Sequence, residues 1–152
     1  MNSRNLSNQD VISGLNGLLA DSIVMNQKLH HYHWRVKGRG FYQLHGMFEG
    51  FYDEFGEITD AVAERMLMVG GAPLASLAQA LELASLKEDV GVPDAQRMVA
   101  NVAADLDAFR ARVRQVVQQA DQAGDRGTVN LLDPIADGLD KKLWMLEAYL
   151  AG

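Results

Sequence analysis

The spacing of the apolar residues constrains the fold of this chain more than any other feature. These residues recur at steps of three and four along almost the whole sequence, and no stretch alternates steadily between apolar and polar residues. Apolar residues at this period form one face of an amphipathic helix, whereas a half-buried strand needs a period of two. The sequence therefore predicts helices and no β-sheet.

Capping and glycine signals divide the first half of the chain. A capping-box pattern, Ser7 with Asp10, begins a first helix that ends near Trp34, where the loop RVKGRG follows. A second helix is predicted over residues 41–69, after which two glycines and a proline stop it. Residues 1–6 are predicted to form a short N-terminal tail.

The second half of the chain predicts one short helix and two long ones. Residues 76–85 are rich in alanine and leucine and predict a small helix laid across a long crossover between the second and third long helices. The third long helix is predicted over residues 93–124 and the fourth over residues 128–150. Pro134 either kinks the fourth helix or marks a restart with Asp133 as the N-cap. The fold class is therefore all-α, a four-helix bundle with an extra short helix in the crossover.

Composition limits the class of protein and its partners. A chain of 152 residues fits one domain, spanning residues 1–152. The absence of cysteine excludes disulfides and thiolate metal sites, and is compatible with a reducing cytoplasm. The net charge of −6 disfavours polyanions as general partners. No apolar run is long enough to span a membrane and the N-terminus lacks an export signal, so we expect a soluble cytoplasmic protein.

All four histidines of the chain lie within sixteen positions. His33 falls in the last turn of the first helix and His45 in the first turns of the second, so the short loop should bring both rings to one end of a helical hairpin. Glu49 follows His45 by four residues, and Asp60 and Glu64 stand four apart further along the same helix. At about 100° per residue, the four residues of the second helix fall within an arc of about 100°. They share one helix face.

Imidazole and carboxylate groups on one face suit iron, manganese or zinc, and iron is favoured where carboxylates outnumber histidines. The alternative interpretation is a solvated face with a histidine at a helix end. A site within one bundle would use Glu-x-x-His motifs on two helices, and the chain contains none. Trp34 and the methionines are predicted to be core and packing groups, while His30 and His31 have no predicted partner.

One chain cannot close such a site. His45 and Asp60 are fifteen residues apart, which corresponds to about 22 Å along a straight helix. If the second helix packs antiparallel against its own copy across a two-fold axis, residue 45 can face residue 64 of the copy, and residue 49 can face residue 60. The axis then falls between Glu54 and Phe55, and Gly56 would allow the backbones to approach. An isologous dimer repeats the site twice.

Three segments carry a resemblance to a known family. H-W-R-V-K-G, L-H-G-M-F-E-G, and D-A-V-A-E-R-M followed by Gly-Gly-Ala-Pro resemble the Dps family of mini-ferritins, and the similarity extends over nearly the whole chain to D-K-K-L-W-M-L near its end. The resemblance places the family's ferroxidase ligands on His33, His45, Glu49, Asp60 and Glu64. Many members have aspartate where this chain has Glu49, a longer arm of the same charge.

The family resemblance implies a hollow homo-dodecamer of tetrahedral symmetry built on two-fold dimers. Such a shell oxidises ferrous iron, with hydrogen peroxide as the preferred oxidant, at sites shared between two-fold-related subunits, and it stores the ferric mineral inside. Iron is thus the implied cofactor and substrate. The resemblance also places the start of the fourth helix at a three-fold pore, where Asp125 and Asp133 are either pore residues or solvated surface groups.

DNA binding is expected to be weak or absent. Family members that bind DNA commonly use mobile basic tails, because neutralising phosphates needs several positive charges. Before the first helix this chain offers only Arg4, and its sequence stops directly after the fourth helix. The run Arg35, Lys37 and Arg39 is the residual route. The alternative function is a helical assembly that compacts DNA, or that binds a structural metal without significant ferroxidase turnover.

Overall fold

Five helices account for most of residues 3–152, the part of the chain that the computed structural model describes. They are α1 (Ser3–Arg35), α2 (Phe41–Met68), α3 (Leu77–Leu83), α4 (Ala95–Gln122) and α5 (Arg126–Ala151). No strand occurs within these described residues. The predicted all-α class is confirmed, with four long helices and the short α3 in the connection between α2 and α4.

The bundle is held together by an apolar core shared by its long helices. α1 packs along α2, α4 packs along α5, and α1 also contacts α4 and α3. Phe55 of α2 meets Phe109 of α4 edge to face, with ring centroids 5.2 Å apart, and both side chains are almost fully buried. Burying each side chain of this size contributes about 1.5–3 kcal/mol relative to leaving it exposed.

A buried carboxylate fixes the crossover against the bundle. Asp21 of α1 is fully buried and accepts hydrogen bonds from the backbone N–H groups of Ser85 and Leu86, at 2.7 and 3.1 Å. It also accepts from the Ser85 hydroxyl at 2.9 Å and pairs with Arg112 of α4 at 2.6 Å. A side chain at Gly17 would collide with the Arg112 guanidinium, so glycine makes room for this pair. One residue thus joins α1, α4 and the segment after α3.

The predicted beginning of the first helix was wrong. α1 begins at Ser3, so Ser7 lies inside the helix and is not its N-cap. The physical reason is that no glycine or proline stands between these two residues to interrupt the helix. Of the expected tail, Met1, Asn2 and the side chains of residues 3–6 lie outside the described part of the chain.

α5 runs without a break across Pro134. The alternative of a restart capped by Asp133 was therefore wrong, and the N-cap is Asp125, whose carboxylate accepts from the N–H of Thr128 at 3.1 Å. Proline removes one helical donor, which leaves the carbonyl of Asn130 without its partner. Asn130 and Pro134 are both exposed, so water can bind that carbonyl.

The assignment of large side chains to the core was only partly right. Met25, Met66 and Met98 are fully buried, but Met68 is 70% exposed. Trp34 is 61% exposed, because it lies two residues beyond the buried Tyr32 and hence on the opposite side of α1. Within the described part of the chain, no helix combines the length and apolar character needed to cross a membrane.

Candidate metal centre

Two histidine rings meet where α1 ends and α2 begins. The connection is short because Gly38 and Gly40 both adopt positive φ angles, 94° and 81°, a conformation that costs glycine little. The rings of His33 and His45 stack with centroids 3.7 Å apart and planes inclined by 13°. The predicted meeting of these two side chains at one end of a helical hairpin is therefore observed.

Each of the two histidines is bound to the backbone of the other. Nδ1 of His33 lies 2.7 Å from the carbonyl oxygen of His45, and Nδ1 of His45 lies 2.8 Å from the carbonyl oxygen of His33. A carbonyl oxygen can only accept, so both Nδ1 atoms carry a proton and donate it. In the neutral rings this leaves both Nε2 atoms with a lone pair, the form in which imidazole binds a metal.

Aromatic rings hold this histidine pair on two sides. Phe41 stacks on His45 with centroids 5.0 Å apart, and the Tyr52 ring lies nearly perpendicular to the His33 ring with centroids 5.3 Å apart. His33 is only 8% exposed, whereas His45 is half-buried. The pair is therefore rigid before any metal arrives, which lowers the entropy cost of binding one.

The three predicted carboxylate ligands lie exposed along α2. Glu49, Asp60 and Glu64 form no ion pair with any side chain of residues 8–152. Glu49 accepts one long hydrogen bond from the Tyr52 hydroxyl, at 3.5 Å. Oxygen donors that are not neutralised within the subunit remain available to a cation.

The described residues bring the histidines together but not the whole predicted set. α2 is uninterrupted from Phe41 to Met68, so His45 and Asp60 are separated by about 22 Å along the helix. Within one subunit, residues 8–152 contain no group of three histidine, aspartate or glutamate side chains that could hold a metal ion. The assignment of all five residues as ligands of one site stays a prediction that requires a second subunit.

The face of α2 that carries these residues also carries three glycines that lie against open space among the described residues. A side chain at Gly46 or Gly50 would meet nothing within 4 Å, and one at Gly56 would meet only the Asn26 amide at 3.9 Å. Glycine inside a helix costs about 1 kcal/mol relative to alanine. Since nothing among the described residues requires this cost, the glycines leave room for a second helix to approach α2 on this face.

The structure gives partners to the two remaining histidines. The ring of His30 stacks on Tyr52 with centroids 3.6 Å apart, and Nε2 of His31 lies 2.7 Å from the carbonyl oxygen of Gly91.

Tyr52 was not among the residues predicted from the sequence, because its contacts depend on how α1 packs on α2. Its position seven residues after His45, on the same helix face, was the only signal in the sequence.

Asp125 is a structural carboxylate. Arg65 donates to it at 2.6 Å, and the Thr128 hydroxyl donates to it at 2.5 Å. Burial alone would raise the pKa of Asp125, but the hydrogen bonds from Thr128 and Arg65 outweigh it and lower the pKa below its usual value. The other predicted pore residue, Asp133, is exposed.

Comparisons with known proteins agree with this architecture. Residues 12–152 match the family model of the ferritin-like domain. The DNA protection during starvation protein of Brevibacillus brevis is 43% identical over 136 residues, covering 90% of this chain and 91% of that protein. The crystal structure of a Dps protein from Bacillus brevis has a TM-score of 0.94 at 41% identity and covers 99% of both chains. A Dps protein from Vibrio cholerae O1, described as a member of a broad superfamily of ferritin-like diiron-carboxylate proteins, has a TM-score of 0.92 at 29% identity, covering 95% of this chain and 91% of that chain. These matches include both helices that carry predicted ligands. The chain therefore belongs to the Dps family of mini-ferritins.

Proposed function

We propose that this protein oxidises ferrous iron, with hydrogen peroxide as the preferred oxidant, and stores the ferric product inside a shell of twelve subunits. Each site takes His33, His45 and Glu49 from one subunit, and Asp60 and Glu64 of the partner subunit complete it. The observation that carries the proposal is the mutual hydrogen bonding of the two histidines, which leaves two Nε2 lone pairs side by side in a preformed pair.

The proposed pairing of subunits rests on the glycine-bearing face of α2. At about 100° per residue, Gly46, Gly50 and Gly56 fall within an arc of about 120° that overlaps the arc of the predicted ligands. Antiparallel packing of two such faces opposes the start of one α2 to the end of the other. Histidines and carboxylates then meet at both ends of the contact, as isologous symmetry requires.

The chemistry of the donor set suits iron oxidation. Two ferrous ions supply one electron each to a peroxide, the O–O bond breaks, and two protons complete two water molecules. Delivering both electrons together avoids the one-electron step that releases hydroxyl radical. Carboxylates favour the ferric product over the ferrous substrate because their negative charge interacts more strongly with the higher cation charge.

Contact with DNA is weak or absent in this proposal, although the relative from Brevibacillus brevis is named for DNA protection. Removal of ferrous iron and peroxide protects DNA without contact. The net charge of −6 opposes a polyanion. Arg35 at the end of α1, and Lys37 and Arg39 in the loop that follows, are exposed, and a shell would repeat them twelve times. This basic run is the route by which the alternative, DNA compaction, would operate.

Iron oxidation by the assembled, metal-free protein tests the proposal. Ferrous iron is added without oxygen, hydrogen peroxide or oxygen follows, and near-ultraviolet absorbance reports the ferric product. We expect faster oxidation with peroxide, and a large loss of rate for His33→Ala and His45→Ala with an unchanged shell mass. His31→Ala is the matched control, since among the described residues the hydrogen bond and the ring contact of His31 are with the Gly91 carbonyl and Tyr32. Parental rates in both His33→Ala and His45→Ala would exclude these histidines as ligands.

A further inference from the structure

We propose that Tyr52 is a positioning residue of the metal centre, which braces the ring of His33 with its own ring and directs the Glu49 carboxylate with its hydroxyl. The inference rests on the proposed function, because it assumes that His33 and Glu49 bind the iron. It concerns a residue outside the predicted ligand set.

The ring of Tyr52 lies between two histidines of α1. One face stacks on His30, with centroids 3.6 Å apart and planes inclined by 18°. The Tyr52 and His33 rings have centroids 5.3 Å apart and planes inclined by 83°, close to the perpendicular geometry that aromatic pairs favour. The Tyr52 ring therefore packs against His33, and His30 packs against Tyr52, so these contacts restrict the movement of both the His33 and the Tyr52 rings.

The backbone of Tyr52 is fixed by the same part of α1. The Asn26 side-chain amide donates to the Tyr52 carbonyl oxygen at 2.7 Å. The Asn26 carbonyl oxygen lies 2.8 Å from Nδ1 of His30, which donates to it. Asn26, His30 and Tyr52 thus form a connected set of contacts between α1 and α2. This set gives His30 a role that its position in the sequence does not reveal.

The hydroxyl of Tyr52 faces a predicted ligand. It donates to Oε1 of Glu49 at 3.5 Å, the only hydrogen bond to that carboxylate from the side chains of residues 8–152. Burial, followed by the negative charges of Glu49 and Asp53, raises the pKa of the Tyr52 hydroxyl above its usual value. An ordinary phenol already carries its proton at neutral pH, so the hydroxyl is the donor in this hydrogen bond.

A hydrogen-bond donor orders the carboxylate of Glu49 more than it would order the shorter side chain of an aspartate at the same position. Its side chain is exposed and forms no ion pair with the described residues. Glutamate has one more rotatable bond than aspartate, and ordering a side chain of this kind costs up to about 1.5–2 kcal/mol. A hydrogen bond from a phenol that is itself immobile restricts the carboxylate before the metal binds. Part of the ordering cost is then met in advance.

Removal of the hydroxyl alone tests the inference. Tyr52→Phe keeps the stack and the edge contact, and the exposed Tyr42 of the same helix supplies the matched control Tyr42→Phe. Co²⁺ titration of the assembled, metal-free protein, followed by its visible absorption, should show binding weakened about threefold to tenfold by Tyr52→Phe, the scale of one partly exposed hydrogen bond. The KM for ferrous iron should rise by a similar factor, with kcat nearly unchanged. Tyr42→Phe should alter neither quantity.

The Tyr52→Phe substitution, made in a protein that also carries Glu49→Asp, shows whether Tyr52 acts through Glu49. In the variant Glu49→Asp the carboxylate is withdrawn by one methylene, so Tyr52→Phe should change Co²⁺ affinity there by less than about twofold. An equal loss in both backgrounds would overturn the inference, as would no loss in the native background. If the parental protein binds Co²⁺ and His45→Ala abolishes binding, a neutral Tyr52→Phe refutes the positioning role alone. A parental protein that binds no Co²⁺ refutes the proposed function and the positioning role together.

Discussion

Two inactive variants of this protein should regain activity when they assemble together. His45→Ala removes a predicted ligand near the start of α2, and Glu64→Ala removes one near its end. α2 is uninterrupted between them, so the two ends cannot meet in one subunit, being well over 20 Å apart at about 1.5 Å per residue. A shell made wholly of either variant has a lesion in every site. Neither variant should oxidise iron at an appreciable rate.

A mixed dimer places both lesions in one site and leaves the other site with native His45 facing native Glu64. Random pairing makes about half of the dimers mixed, so about a quarter of all sites should recover. His45→Ala loses two ring stacks, on His33 and on Phe41, and one hydrogen bond, together about 2–4 kcal/mol. Against a typical folding stability of about 5–15 kcal/mol, this loss leaves the subunit folded.

Equal amounts of the two variants are refolded together, the shell mass is confirmed, and initial rates of ferrous oxidation with peroxide are compared with those of each variant alone. The control mixture combines His33→Ala with His45→Ala. Those two lesions lie in the same half of the site, so no dimer contains an intact site and no activity should return. If the first mixture also gains nothing while its shell is intact, the shared-site arrangement is refuted.

Asp21 should matter far more to stability than an exposed acid. Asp21→Ala should lower the free energy of unfolding by about 3 kcal/mol, because Arg112 loses its buried acceptor. The control Asp121→Ala removes an exposed ion pair and should lower it by less than about 1 kcal/mol. Equal losses in urea denaturation would contradict this expectation. Burial raises the pKa of Asp125, but the hydrogen bonds from Thr128 outweigh it, so the folded-state pKa is lowered. The stabilisation from the ionised Asp125 is therefore lost as the pH falls through that pKa. Asp125→Asn removes this contribution, so the variant should lose less stability than the parental protein as the pH drops below about 4. An unchanged dependence in thermal melts from neutral to acidic pH would contradict the lowered pKa. In a gel at physiological salt and neutral pH the protein should not retard plasmid DNA, and a tight, salt-sensitive complex would overturn that expectation.

Helix content and order were predictable because they depend on local information. The apolar period and the glycine stops place the ends of α2, α4 and α5 within a few residues of their observed positions. The error at the beginning of α1 has a simple cause: a capping-box pattern at Ser7 can also occur inside a helix when nothing upstream interrupts it. Trp34 was misplaced for a different reason. Its size suggested burial, but the helical period puts it on the opposite side from Tyr32.

The candidate site was predictable only as far as spacing carries information. The contact between the His33 and His45 rings was predictable because a short loop connects the two helix ends that carry them. Their mutual hydrogen bonds and the roles of His30 and Tyr52 depend on how α1 rotates against α2, and no period in the sequence encodes that rotation. Asp125 shows the same limit: a carboxylate before a helix can cap the helix, line a pore or do both, and the structure shows the cap, while the pore role stays a prediction.

The division of ligands along α2 couples the proposed chemistry to assembly. A free subunit holds two preformed imidazole donors at one end of the helix and exposed carboxylates at the other, and neither half resembles a complete iron site. Ferrous iron bound by half a site would meet peroxide as a single ion, which is the situation that releases hydroxyl radical. Pairing of two α2 faces completes both sites at once, and the rigid stack of His33 and His45 is in place beforehand. Under the proposed arrangement, iron oxidation therefore begins only after subunits have paired. The same pairing builds the shell in which the ferric product is stored.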